Sequence, residues 1–216
     1  GAACLLTELG AVATPTLRQA CGAGVLPLEV AADGSRATLT GGDPVVGGEV
    51  DAAEALRAVG LGEVDLLGPP AILAGTGLPY VVVPVTAAAL RRAAPDLSEL
   101  KRLFRHPQEA TGVYLVAWEL GDEAPTSVRA RMFAGDVGVA EDPATGSAAL
   151  ALGAALPSML GLGDGETRLV VTQGVEMGRP STLLVQVDVT ARRPTRVRVS
   201  GGAVRVASGR VSVPPG

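Results

Sequence analysis

Aromatic residues are nearly absent from this chain of 216 residues: Phe, Trp and Tyr together make up 2%. Stacking platforms for single-stranded nucleic acid need such rings, so that class of binder is excluded. Positive charge is also in deficit, 18 Lys and Arg against 22 Asp and Glu, for a net charge of −4. A nucleic-acid backbone requires a basic stripe, and no nucleic-acid partner is expected. Histidine occurs once, as His106, and cysteine twice, as Cys4 and Cys21. With no Cys-x-x-Cys pair and no carboxylates clustered at ligand spacing, no metal site is expected. Two cysteines do not make a disulfide framework, so free thiols in a reducing cytoplasm are the expected state. Long apolar runs are missing too. Val81–Leu90 is interrupted by Pro84 and Thr86, and Ala148–Leu156 falls far short of the roughly 20 residues that span a bilayer. No membrane partner is expected.

What the chain does have is apolar bulk, 47% of residues, with only 19% charged, enough to bury a substantial core. The opening run, Gly1–Gly10, reads as the body of an apolar helix closed by Gly10 and lacking a cap at its start. Short strand-like runs follow at Thr16–Cys21, Val25–Ala31, Arg36–Thr40 and Val45–Val50, separated by turn glycines. Asp51 is placed to cap a helix running to about Val59, with Gly60 as its stop. The Gly- and Pro-rich stretch Leu61–Pro70 is the best candidate for a linker. Beyond it the pattern gives strands at Leu78–Val85, Gly112–Leu120, Ser127–Phe133, Thr167–Gln173, Thr182–Thr190, Arg196–Ser200 and Ala203–Val206. Helical stretches lie at Thr86–Arg92 and Leu97–Phe104, and a loop at Ala134–Glu141. Thr16–Gly42 and Thr167–Gly202 end alike, in a polar strand and a Gly-Gly pair, a weak internal repeat that suggests two related lobes.

Ala148–Leu156 carries no polar side chain. A helix apolar all round is buried all round, and in a strand-rich chain that means a sheet wrapped around a central helix. The opening helix shares this character on most faces, Thr7 and Glu8 excepted. The expected architecture is therefore α+β, two lobes of antiparallel sheet each curled around one helix. Residues 1–62 would form an incomplete first lobe and residues 63–216 the second.

Ahead of the buried helix stands the densest local signal, Ala140-Glu-Asp-Pro-Ala-Thr-Gly-Ser-Ala-Ala149. Read by capping rules, Asp142 is the N-cap, Pro143 the first helical residue, and Thr145, Gly146 and Ser147 occupy the first turn. Free amides and the helix dipole at such an end attract anions. Gly146 lets a ligand approach the backbone, and Ser147 adds a hydroxyl. On physical grounds alone a well-capped helix with a glycine-rich lead-in and an anion site fit equally.

The segment Gly138-Val-Ala-Glu-Asp-Pro-Ala-Thr-Gly-Ser-Ala-Ala149 resembles the signature of the PhzF family of phenazine-biosynthesis-like isomerases. The resemblance extends to Arg131-Met-Phe-Ala134, Thr76-Gly-Leu-Pro-Tyr-Val-Val-Val-Pro84, Gln173-Gly-Val-Glu-Met-Gly-Arg-Pro-Ser181 and Gly202–Gly209. It implies the two-lobed fold of diaminopimelate epimerase, a homodimeric assembly, and cofactor-independent acid–base proton transfer on a small carboxylate-bearing metabolite. It implies further that Asp142 handles protons or binds substrate, that Thr145, Gly146 and Ser147 hold the substrate carboxylate, and that Thr76 and Gly77 line the cleft. The family's Gly-His-Pro-Thr segment and catalytic glutamate have no counterpart here, and His106, in Phe104-Arg-His-Pro-Gln108, reads as a loop residue. The expectation is a chain that begins partway through the first lobe and shows little activity by itself, a noncatalytic remnant or small-acid binding module being the alternative. Racemases of the same fold use two cysteines, but Thr145 stands where the second is expected, so that chemistry is not expected.

Overall fold

The computed structural model describes every residue except 13, 14, 23, 107, 108, 119–124, 136–138 and 211–216. Parts of the expected loop at Ala134–Glu141 and of the strand expected to reach Leu120 lie outside the described residues. Elsewhere the expected strands form, with two corrections: Ala203–Val206 is not a strand, the last strand ending at Gly202, and a strand not read from the sequence forms at Ile72–Gly75. β1 (Thr16–Cys21), β2 (Gly24–Val30) and β3 (Arg36–Thr40) make an antiparallel meander at one edge. β4 (Val45–Glu49), β5 (Ile72–Gly75) and β6 (Pro79–Pro84) make another at the opposite edge. Between them run β7 (Gly112–Ala117), β8 (Ser127–Ala134), β10 (Gly165–Gln173), β11 (Ser181–Thr190) and β12 (Arg193–Gly202). One twelve-stranded sheet results, ordered β1-β2-β3-β12-β11-β10-β8-β7-β6-β5-β4, with the short β9 (Glu141–Asp142) paired to β8 beside this path.

The expectation of purely antiparallel pairing is corrected at two places, because β6 runs parallel to β7 and β8 parallel to β10. Parallel neighbours need a crossover, and helices supply it. α3 (Ala87–Arg92) and α4 (Leu97–Leu103) carry the chain from β6 to β7, and α5 (Gly146–Leu160) carries it from β8 to β10. Both crossovers step the same way along the sheet, but β7 and β8 are antiparallel, so right-handed connections must place their helices on opposite faces. The buried side chains follow that rule. Tyr114, Val116, Val128, Ala130 and Met132 share a core with α5, whereas Val83, Val113, Leu115 and Phe133 pack with α3, α4 and α2 (Ala53–Arg57).

α5 is buried along Ala148–Leu156, as its composition requires. It touches β4, β5 and β6 on one side and β11 and β12 on the other, so the sheet bends around it. Small side chains make this closeness feasible. A Cβ on Gly153 would stand 2.5 Å from Val197 Cγ1 and 2.9 Å from Val185 Cγ1. The helix runs past its expected end at Leu156, through the buried Pro157, to Leu160. Proline removes one backbone donor there, and burial of Pro157 and Met159 holds the last turn in place.

α1 (Ala2–Glu8) departs from expectation. It packs on β2 and β3 with Cys4 against Leu28 and Val30, but Leu5, Leu6 and Leu9 are 39%, 42% and 60% exposed. Only one of its faces meets the sheet. Cys21, on β1, is exposed. Gly10 closes α1 at φ +67°, as read. β4 and α2, which precede residue 63, pair and pack with segments that follow it. No helix among the described residues is long and apolar enough to cross a membrane.

Candidate active site

The site is assembled where β7, β8 and β9 line up below the start of α5. Tyr114 lies opposite Met132, and Met132 opposite Asp142. This pairing keeps Asp142 extended, which corrects the helix start read from the sequence. Asp142 is not the N-cap and Pro143 is not in the helix; Thr145 is the N-cap, at φ −110° and ψ 96°, and α5 begins at Gly146. Asp-Pro imitates a helix start, but strand pairing to β8 overrides it. Thr145 offers no side-chain cap, so the first amides of α5 have no intrahelical acceptor. Gly146 and Ser147 are half-buried there, at the mouth of the buried helix.

The Thr145 hydroxyl instead donates to Asp142 Oδ2 at 2.6 Å. Around this pair lies a polar group that the sequence reading did not single out, Gln173, completely buried at the end of β10. Its Nε2 donates to Asp142 O at 2.6 Å and to Thr145 Oγ1 at 3.0 Å. Its Oε1 accepts from the Tyr114 hydroxyl at 3.0 Å and from Thr145 N at 3.4 Å. A signal for it existed. Leu169, Val171 and Gln173 share one face of β10, so an amide ends an otherwise apolar, buried stripe.

On the other flank, the Ser147 hydroxyl and the Tyr80 hydroxyl are 2.8 Å apart in a hydrogen bond. Burial pushes the Tyr80 phenol above its usual range against the opposing effect of Ser147, and the charge of Asp142 pushes the same way as burial. Burial does the same to Tyr114, with Tyr80 adding to it. Both hydroxyls therefore stay protonated and act as neutral hydrogen-bonding groups rather than bases. The chain's two tyrosines thus turn their polar tips toward the same helix end.

Two further contacts fix the loop that carries Asp142. Glu141 meets Arg131 in a two-pronged ion pair, 2.7 Å and 2.8 Å, and Arg131 also donates to Leu90 O and Ala93 O while stacking over Phe133. Gly174, at φ +80°, lets β10's end pass under Pro143; a Cβ there would stand 2.7 Å from Pro143 O and 2.5 Å from Arg179 O.

Thr76 and Gly77 occupy the β5–β6 turn, which Tyr80 ties to the start of α5 through Ser147. They line a cleft of about 420 Å³ with Gly42, Asp43, Leu73 and Pro79. None of Asp142, Thr145, Gly146 and Ser147 lines that cleft, so the expected site residues form two neighbouring groups rather than one pocket. Thr76 is buried, its carbonyl accepting from Gly42 N at 3.1 Å. His106 is exposed, in line with a loop residue.

The family model described as phenazine biosynthesis-like protein (PhzC–PhzF) matches residues 1–209. An uncharacterized isomerase of Clostridium acetobutylicum is 30% identical over 86% of this chain and 64% of its own length. An uncharacterized isomerase of Mesorhizobium japonicum is 31% identical over 63% of this chain and 46% of its own. A trans-2,3-dihydro-3-hydroxyanthranilate isomerase of Pseudomonas chlororaphis is 41% identical over 38% of this chain and 30% of its own. The chain thus spans about half to two-thirds of the length of the first two relatives. Among solved structures, a PhzF-family phenazine biosynthesis protein of Bacillus anthracis superposes with a TM-score of 0.79 at 23% identity, covering 97% of this chain and 73% of that one. A "predicted epimerase" of Pseudomonas aeruginosa gives 0.70 at 31% identity, covering 94% and 68%. The chain belongs to the phenazine biosynthesis-like, PhzC–PhzF, family.

Proposed function

We propose that this protein is an isomerase that moves a proton on a small carboxylate-bearing metabolite by acid–base catalysis, using protein groups alone. The observation that carries the reading is the pairing of a half-buried carboxylate, Asp142, with the uncapped N-terminus of α5. The amides of Gly146 and Ser147, with the Ser147 hydroxyl, suit a substrate carboxylate, because unpaired donors and the helix dipole both favour negative charge there. Asp142 stands beside them as the group that gives or takes a proton, the role acid–base catalysis needs. Thr145 supports the Asp142 side chain, and the cleft at Thr76 and Gly77 receives the body of the substrate. The resemblance to a relative that isomerises trans-2,3-dihydro-3-hydroxyanthranilate suggests a cyclic amino- or hydroxycarboxylate as substrate class.

The test is to incubate trans-2,3-dihydro-3-hydroxyanthranilate and related cyclic carboxylates with the protein in deuterated water and follow them by NMR. The chain is assayed alone and fused behind a family segment bearing Gly-His-Pro-Thr and its glutamate. Isomerisation with deuterium incorporation by either form supports the reading. Absence of both from both forms, with the fold intact by circular dichroism, refutes it.

A further inference from the structure

We infer that Gln173 is a positioning residue of the site: through the Thr145 hydroxyl it fixes where the Asp142 carboxylate points. The inference rests on the reading of Asp142 as the proton-transfer group, and the geometry is fixed by which atoms can donate and which can accept. A carboxamide can be placed either way round, but here only one way is satisfied. Thr145 N can only donate, so the atom facing it must be Oε1; Asp142 O can only accept, so the atom facing it must be Nε2. The Tyr114 hydroxyl donates to the same Oε1 and locks the orientation from the side.

With the amide fixed, the polarity of the next bond follows. Nε2 also donates to Thr145 Oγ1, which uses that oxygen as an acceptor. The hydroxyl proton is then free to point only away, and Asp142 Oδ2 stands 2.6 Å off to receive it. The directed chain runs from Tyr114 to Gln173, from Gln173 to Thr145, and from Thr145 to Asp142, each link a donor meeting an acceptor. Gln173 is completely buried and Thr145 nearly so, so water does not compete for these bonds, and each is worth more than it would be at the surface. Gln173 thus holds both ends of the Asp142–Thr145 turn, the main chain at Asp142 O and the side chain through Thr145. A carboxylate whose bearing is set this way meets a bound substrate without having to reorganise.

The experiment uses Thr145→Val, which keeps the shape and removes the relay, Thr145→Ser, which keeps the relay, and Gln173→Leu. Two readouts are taken. Without substrate, the ¹³C resonance of the Asp142 side-chain carboxyl and the exchange of the Gln173 side-chain amide protons are recorded by NMR. With substrate, kcat and KM are measured for the isomerisation, after correcting each variant for its folded fraction. The expected result is a shifted Asp142 carboxyl resonance in Thr145→Val and Gln173→Leu but not in Thr145→Ser, and slow amide exchange in the unmodified protein. Kinetically, kcat falls about tenfold or more in the first two variants, as for loss of a hydrogen bond to a charged group, while KM stays within about twofold. An unmoved Asp142 resonance in Gln173→Leu or in Thr145→Val, or kcat unchanged in either variant, overturns the inference. If the unmodified protein turns over no carboxylate, the isomerase reading fails by itself, and the carboxyl resonance alone decides whether Gln173 sets the position of Asp142.

Discussion

At the residue scale, the turn that bears Asp142 is held by side chains with little freedom to be replaced. Arg131 and Glu141 are almost out of contact with solvent, their side chains 6% and 14% exposed. Removing one member of such a pair leaves the other charged and poorly solvated. Arg131→Met is therefore expected to lower the unfolding free energy by about 3–5 kcal/mol, read from urea titration. A loss under about 1 kcal/mol would mean that Glu141 finds water or another cation instead. Gly174 is constrained twice, by its positive φ and by the approach of Pro143. Gly174→Ala should cost about 1–3 kcal/mol and should also weaken carboxylate binding, since the displaced loop carries Asp142. Unchanged stability in that variant would show that the Pro143 loop shifts freely. Much of the site was legible at this scale: Asp142, Thr145, Gly146 and Ser147 do stand together at one helix end. The alternation of β10 signals that Gln173 is buried, but not its role, which depends on β10 running parallel to β8 and ending beneath Asp142.

At the element scale, two features set opposing effects against each other. Gly153→Ala adds a helix-favouring residue to α5, worth up to about 1 kcal/mol. It also drives a methyl group into Val197 and Val185, and overpacking of that kind costs about 1–3 kcal/mol. The valines belong to paired, buried strands and cannot yield, so net destabilisation of about 1 kcal/mol is expected from thermal or urea unfolding. A more stable variant would show slack between α5 and the sheet. The second feature joins the turn Glu63–Asp65 to α3. Asp65 accepts from Gly62 N and pairs with Arg92, and these contacts hold its carboxyl below the usual range. A carboxylate with a depressed folded pKa adds stability that is present above its unfolded pKa and disappears as pH falls through the folded value. Asp65→Asn should thus be less stable than the parent at neutral pH, with the difference closing below about pH 4. A gap in melting temperature that persists unchanged at pH 2 would assign the loss to something other than charge.

Helix boundaries show where element-scale reading succeeds and where it stops. α2 and α5 were legible from Asp51, Gly60 and the run of alanines, but Asp51 stands one residue before the N-cap of α2, which is Ala52, its carboxylate accepting from Ala53 N at 2.8 Å in a turn, and α2 ends at Arg57 rather than near Val59. The start of α5 was misplaced because the Asp142-Pro143 pair has the chemistry of a cap, and only β9's pairing to β8 reveals that this stretch is strand. The exposure of α1 was misread for a related reason. Its apolar residues announce burial, but they cannot say how many faces the rest of the described chain covers.

At the scale of the whole molecule, one all-apolar helix organises the fold. α5 fills the concave side of the sheet, and its N-terminus opens where β9, β10 and the β5–β6 turn converge. A helix that carried polar residues could not be enclosed so completely, and its free amides would then face open water rather than a half-buried site. The parallel pairs β6–β7 and β8–β10 were not foreseen because period-two alternation is the same in parallel and antiparallel strands. Only the intervening helices, α3 with α4 and α5, distinguish them.

The central claim is that the N-terminus of α5 is where a small carboxylate is held, and a titration followed by ¹H–¹⁵N NMR tests it most directly. With 3-hydroxyanthranilate as the probe, the amides of Gly146 and Ser147 should shift most. Ser147→Ala should weaken the affinity about 5- to 30-fold, the equivalent of ~1–2 kcal/mol for a hydrogen bond to a charged group. Saturable shifts confined to other parts of the chain, with equal affinity in Ser147→Ala, would contradict the account.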